Sequence, residues 1–153
     1  MSNLIGLEST VISSDMRFEY DHPILTIGTV ADNYWGGWCA SYDREFIFNI
    51  DDIEALSEFS LREVGFDDYL WIKLNDQTIY VGPDGGNKIE VTSGRVNNGS
   101  EHLACERGTN WHLKDLNIDL LPLLVAGNNV IFTRTIVGGM GESWIKFCCN
   151  SKS

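Results

Sequence analysis

Any catalytic or metal chemistry in this chain would have to be assembled from three histidines, four cysteines and scattered carboxylates. His22, His102 and His112 lie far apart in loop-like contexts, without the paired i, i+4 spacing of helical zinc sites. Each reads as a solvated surface residue. Gly82-Pro83-Asp84-Gly85-Gly86 contains proline and lacks the Lys-Ser/Thr step that holds phosphate and metal in a phosphate loop, so a tight turn explains it better. Asp67-Asp68 has the composition of a glycosidase carboxylate pair. Adjacent strand residues point to opposite faces, however, so these two should not meet one substrate, and at least one is expected to stabilise a turn. A calcium site built from them and backbone carbonyls would need more oxygen ligands than any motif here supplies. No catalytic residue, metal site or cofactor is expected.

The cysteines, Cys39, Cys105, Cys148 and Cys149, match neither a CxxC redox pair nor a zinc-knuckle pattern. Cys39 and Cys105 sit in Gly-rich, polar stretches, whereas Cys148 and Cys149 are adjacent near the C-terminus. That segregation suggests one cross-link between Cys39 and Cys105, for which chain entropy gives roughly 4 kcal/mol and which implies an oxidising compartment. Four idle thiols of a cytosolic protein satisfy the same spacing. Trp144-Ile145-Lys146-Phe147 alternates like a strand, so one member of the vicinal pair is expected to face the core and the other outward.

The segment that stands out is Asn33-Tyr34-Trp35-Gly36-Gly37-Trp38-Cys39, three aromatics around a flexible Gly-Gly in a polar stretch. Loop aromatics offer large, rigid contact area to sugars or proteins at low entropic cost. Capping of a core beside Cys39 is the structural alternative for any one of them.

These residues must be positioned by strands. Met16 to Tyr20 and Ile24 to Val30 are β-rich runs parted by Asp21-His22-Pro23, and Arg44 to Ile50 carries Phe46, Phe48 and Ile50 in alternation. Asp51 to Leu56 suits one helical turn with an Asp N-cap. Glu58 to Phe66, Tyr69 to Leu74 and Thr78 to Val81 follow, the last two joined as a hairpin by Asn75-Asp76-Gln77. From Gly82 to Asn110 the chain is rich in Gly, Asn and Ser, with Lys88 to Thr92 its clear strand, and reads as long excursions over one end of the scaffold. Asn117 to Leu124 is then expected as a strand, and Val130 to Val137 with Trp144 to Cys149 as a terminal hairpin. The predicted architecture is all-β: one domain over residues 1–153, an antiparallel two-sheet sandwich of jelly-roll or galactose-binding kind with long loops at one end.

Composition agrees with one folded domain. A chain of 153 residues with 43% hydrophobic residues lies far from the disordered regime. Its net charge of −11, with no Lys/Arg cluster, disfavours binding to nucleic acid, whose affinity comes from displaced counterions. No apolar run reaches the roughly 18 residues of a membrane span, so no direct insertion by this segment is expected. A signal peptide is absent, which fits a cytosolic protein or a segment of a longer exported one.

Tyr34-Trp35-Gly36-Gly37-Trp38-Cys39, Asp67-Asp68-Tyr69, Gly82-Pro83-Asp84-Gly85-Gly86, Cys105-Glu106, Thr109-Asn110-Trp111, Asn117-Ile118-Asp119 and Gly138-Gly139-Met140-Gly141-Glu142 form an ordered set. In order and spacing, from about Tyr34 onward, that set resembles the tip region of the TraN family of conjugative mating-pair stabilisation proteins. The resemblance implies a cysteine-rich outer-membrane adhesin of a donor cell, exposed at the extracellular face, whose tip contacts a porin-type outer-membrane protein of the recipient. It implies an oxidised Cys39 and Cys105, matching the family's flanking cysteines, and framework roles for Asp67-Asp68-Tyr69 and Asn117-Ile118-Asp119. The family's many further cysteines and its export signal are missing, so the chain corresponds to an isolated tip, separate from the remainder of the adhesin. Candidate contacts are Tyr34, Trp35 and Trp38 in the first loop, and Asp84, Asn87, Asn97, Asn98 and His102 in the excursion from Asp84 to His102. A carbohydrate-binding module, with Trp35 or Trp38 stacking on a sugar, is the alternative.

Overall fold

The computed structural model describes residues 7–8, 16–19, 24–28, 40–67, 69–82, 90–92, 95–97, 110–137 and 143–152. Its strands are β1 (Leu7–Glu8), β2 (Met16–Glu19), β3 (Ile24–Gly28), β4 (Ala40–Ile50), β5 (Leu56–Asp67), β6 (Tyr69–Leu74), β7 (Gln77–Gly82), β8 (Glu90–Thr92), β9 (Arg95–Asn97), β10 (Asn110–Leu113), β11 (Ile118–Asp119), β12 (Gly127–Val137) and β13 (Trp144–Ser151). All pairings are antiparallel. One sheet has the order β1-β4-β12-β6-β7, the other β10-β5-β13-β3-β2 with β11 also on β5, and β8 pairs with β9. Strands β3, β4, β5 and β6 fall alternately in the two large sheets, the crossing pattern of jelly-roll sandwiches.

Period-two alternation builds the core. Phe46, Phe48 and Ile50 of β4, Leu70, Ile72 and Leu74 of β6 and Ile131 of β12 turn inward from one sheet, meeting Phe59, Leu61 and Val64 of β5 and Ile145, Phe147 and Cys149 of β13 from the other. Phe48 stacks on Phe59 across the sheets at 5.6 Å, and Phe59 on Phe147 at 5.2 Å. Tyr80 of β7 meets Phe66 of β5 edge-on, and burial pushes its phenol up to about 12.

Several expectations hold with shifted bounds. The β6/β7 hairpin turns on Asn75 and Asp76, both with positive φ (48° and 67°), the conformation that two-residue type I′ loops require. The helical turn after β4 is a 3-10 turn, Ile53–Ala55, whose cap is Asp52: its Oδ1 accepts from the Glu54 N–H at 3.1 Å.

Others are corrected. Only Ile118–Asp119 of the expected strand from Asn117 to Leu124 joins a sheet, because Asp119 Oδ1 accepts from the Leu121 N–H and Pro122 sits in the first turn of the 3-10 segment Leu121–Leu123. The last two strands are not a hairpin. Both edges of β12 are taken by β4 and β6, so β13 pairs in the other sheet, between β5 and β3. Within the Gly/Asn-rich excursion a second short strand, β9, pairs with β8.

One buried amide fixes the register of β12. Asn129, fully buried, donates to the carbonyls of Val125 and Gly127 and accepts from the Val125 N–H and from Asn75 Nδ2, at 2.8 to 3.1 Å. Asn75 in turn accepts from the Val130 N–H and donates to the Leu123 carbonyl, both at 2.9 Å. Asn129→Ala leaves these buried groups without partners and is expected to destabilise the fold by at least about 2 kcal/mol in urea denaturation. Asn128→Ala, which loses one exposed bond to Asn49, should cost under about 0.5 kcal/mol, and equal losses in the two variants would refute the assignment.

Candidate functional site

The strand ends show where four of the chain's connections attach. Ala40 pairs with Val137, Trp144 with Gly28 and Gly65, Asn110 with Asp67, and Gly82 with Leu70, while only position 68 separates β5 from β6. Residues 29–39, 83–89, 98–109 and 138–142 therefore all join the scaffold at one end. The opposite end carries the 3-10 turns, the Asn75-Asp76 turn and other short links. Two polar atoms buried without a partner, Trp111 Nε1 and Ser143 Oγ, belong to the loop-bearing end.

Of the candidate contacts, Asn97 ends β9, opposite Glu90, and β9 approaches β4. Tyr34, Trp35, Trp38, Asp84, Asn87, Asn98 and His102 lie outside the described residues, as do Cys39, Cys105, Asp68 and His22. Tyr69 is buried, and Asp119 Oδ1 accepts from the Leu121 N–H at 3.1 Å. Among the described residues no three His, Cys, Asp or Glu side chains gather as metal ligands would.

A second surface escaped the sequence reading. On the outer face of the β1-β4-β12-β6-β7 sheet, register sets two rows side by side: Asp43, Arg134 and Trp71, then Glu45, Phe132, Lys73 and Thr78. Trp71 and Phe132 meet edge-on at 5.6 Å along one diagonal. Lys73 lies 4.8 Å from the Phe132 centroid and 5.2 Å from that of Trp71, and Arg134 is within 5.7 Å of both rings. Arg134 grips Asp43 through two 2.7 Å hydrogen bonds, and Trp71 Nε1 donates to Thr78 Oγ1 at 3.1 Å. The signal was present in Trp71-Ile72-Lys73 and Phe132-Thr133-Arg134, but seeing it requires knowing that the two strands are neighbours. No protein-family model matches the chain, and no curated protein matches it.

The outer face of the other sheet holds the vicinal cysteines' environment. Cys149 is buried in the core and Cys148 faces outward, as the alternation implied. Glu58 accepts from Arg62, from Ser60 Oγ at 2.9 Å and from Asn150 Nδ2 at 2.8 Å, with Cys148 Sγ 3.7 Å away. Burial, then the Glu58 charge, pushes the Cys148 thiol up, which disfavours its thiolate. Above it, Trp144 lies across Gly65, where a Cβ would collide with the indole, and meets His112 edge-on at 4.9 Å.

The Arg62 hydrogen bond, then that of Asn150, lowers Glu58 from the usual 4.5 to about 2. A carboxylate lowered by folding contributes stability above pH 4.5 and loses that contribution as pH falls toward 2. Glu58→Gln is expected to be less stable than the parent at neutral pH, with the gap closing by about pH 2 in denaturation curves. A gap independent of pH would contradict the assigned role.

Proposed function

We propose that this chain is a receptor-binding domain: the tip of a conjugation adhesin that contacts a porin-type outer-membrane protein of the recipient cell and stabilises the mating pair. In that role it sits at the extracellular face of the outer membrane as part of a longer exported protein. What supports the reading is the attachment of residues 29–39, 83–89, 98–109 and 138–142 at one end of a two-sheet scaffold whose other end carries the 3-10 turns and the Asn75-Asp76 turn. A rigid scaffold that anchors several connections at one end presents them together for contact with a partner at low entropic cost. The order of motifs that resembles the TraN family, with Cys39 and Cys105 in the place of its flanking cysteines, supplies the biological setting.

The test is capture from detergent-solubilised recipient outer membranes with the parent domain, a variant shortened between Asp84 and His102, and Trp35→Ala/Trp38→Ala. The parent should recover a porin-type protein, and the variants at least tenfold less of it. Equal recovery by all three would refute loop-based reception. Binding instead to outer-membrane polysaccharide on a glycan array, with tryptophan fluorescence changing in step, would replace the protein receptor by a sugar. Mass spectrometry without reductant on exported material should find Cys39 joined to Cys105, and free thiols at both would remove the extracellular setting.

A further inference from the structure

The outer face of the β1-β4-β12-β6-β7 sheet is chemically directional. Across its three central strands the acids Asp43 and Glu45 lie on β4, the cations Arg134 and Lys73 on β12 and β6, and the aromatics Phe132 and Trp71 on those same two strands. Asp43 and Arg134 satisfy each other. Glu45 and Lys73, which flank Phe132 on either side in one cross-strand row, form no ion pair among the described residues. Glu45 is exposed, and Ile47 and Val130 extend the apolar strip along the same face.

We infer that this face is the contact for a second copy of the chain, in a two-fold dimer whose axis runs parallel to β12 beside Phe132. Such an axis exchanges the β4 side with the β6 side while preserving strand direction. It sets Phe132 against its counterpart and brings Lys73 of each copy onto Glu45 of the other, so that both unpaired charges are matched twice. Isologous contacts need this kind of self-complementarity, in which residue i meets j and j meets i. Sheets pack face to face with strand directions within about 30°, which this axis permits. The same axis sets Arg134 of each copy opposite its counterpart, each guanidinium held to its own Asp43, with Trp71 toward the margin beside Lys73.

Size and charge set the strength. Strands about 4.8 Å apart and rising about 3.4 Å per residue make the face of β4, β12 and β6 on the order of 500 Å², below the ~800 Å² per partner of a standard interface. The net charge of −11 on each chain adds repulsion, screened beyond about 8 Å at physiological salt. The dimer is therefore expected to be reversible, with a dissociation constant in the micromolar range.

Sedimentation equilibrium in 0.15 M salt, over protein concentrations from micromolar to about 1 mM, tests this. The parent should show a monomer–dimer equilibrium, weakened at least tenfold in Lys73→Glu and in Glu45→Lys. An equimolar mixture of those two variants should recover association, because each then offers what the other lacks, and the double variant Lys73→Glu/Glu45→Lys should self-associate again. A parent that stays monomeric, a dimer indifferent to either charge reversal, or a mixture no tighter than its components would each overturn the proposal. Both exchanges lie on the outer face and leave the core intact, and circular dichroism of each variant verifies its fold. Receptor capture plays no part in the measurement, so its outcome is independent of the loop-based reading.

Discussion

The register of β12 governs both surfaces of its sheet. This strand runs unbroken against β4 for eleven residue pairs and against β6 for six. Because side chains alternate with a period of two, a slip of one residue would expel Ile131 and Thr133 and bury Phe132 and Arg134. Backbone ladders alone do not forbid such a slip, since every N–H and C=O finds a partner in either register. The buried Asn129 does, because its amide is matched on both donors and its oxygen only where it meets Val125, Gly127 and Asn75. A polar group that is stable in one alignment and unsatisfied in the next specifies that alignment.

The two sheets solve the problem of an outer face differently. Around Trp71 and Phe132 the aromatic surface is covered by the alkyl stems and charges of Lys73 and Arg134, an arrangement that keeps partly exposed rings soluble without removing them from reach. On the opposite sheet Trp144 is laid flat over a glycine, and Glu58 gathers Arg62, Ser60 and Asn150 into a closed hydrogen-bond set. That set holds its charges internally, whereas the first face leaves Lys73 and Glu45 unmatched. The contrast is the physical reason to assign contact to one face and framework to the other.

The class of fold was legible because alternation such as Phe46-Ile47-Phe48-Asn49-Ile50 reports a two-sided environment locally, and because Asn75-Asp76 tolerates the positive φ that a tight hairpin needs. What was not legible is which strands are neighbours. β12 and β13 follow each other across a Gly-rich break with hairpin chemistry, yet β4 and β6 already occupy both edges of β12, a fact held in residues some sixty to ninety positions away. The stretch around Ile118 misled for a local reason: its leucines carry strand-like hydrophobicity, but Asp119 and Pro122 favour a capped turn. The cation and aromatic row was hidden for the first reason, since Phe132 and Lys73 face each other only once sheet order is known.

Strand direction links the sheet face to the loop-bearing end. An axis parallel to β12 leaves both copies pointing the same way, so the passages at 29–39, 83–89, 98–109 and 138–142 would emerge from the two protomers on one side of the dimer. An axis across the strands would send them to opposite sides. Two weak receptor contacts made from one rigid pair act at an effective concentration set by their spacing, and avidity then exceeds either contact alone by orders of magnitude. For the proposed adhesin a reversible dimer would suit this use better than a permanent one, because pairing would be reinforced where the domains are crowded and relax where they are sparse. The weakness expected from the small, dipolar face is thus compatible with adhesion, provided that the loops face outward together.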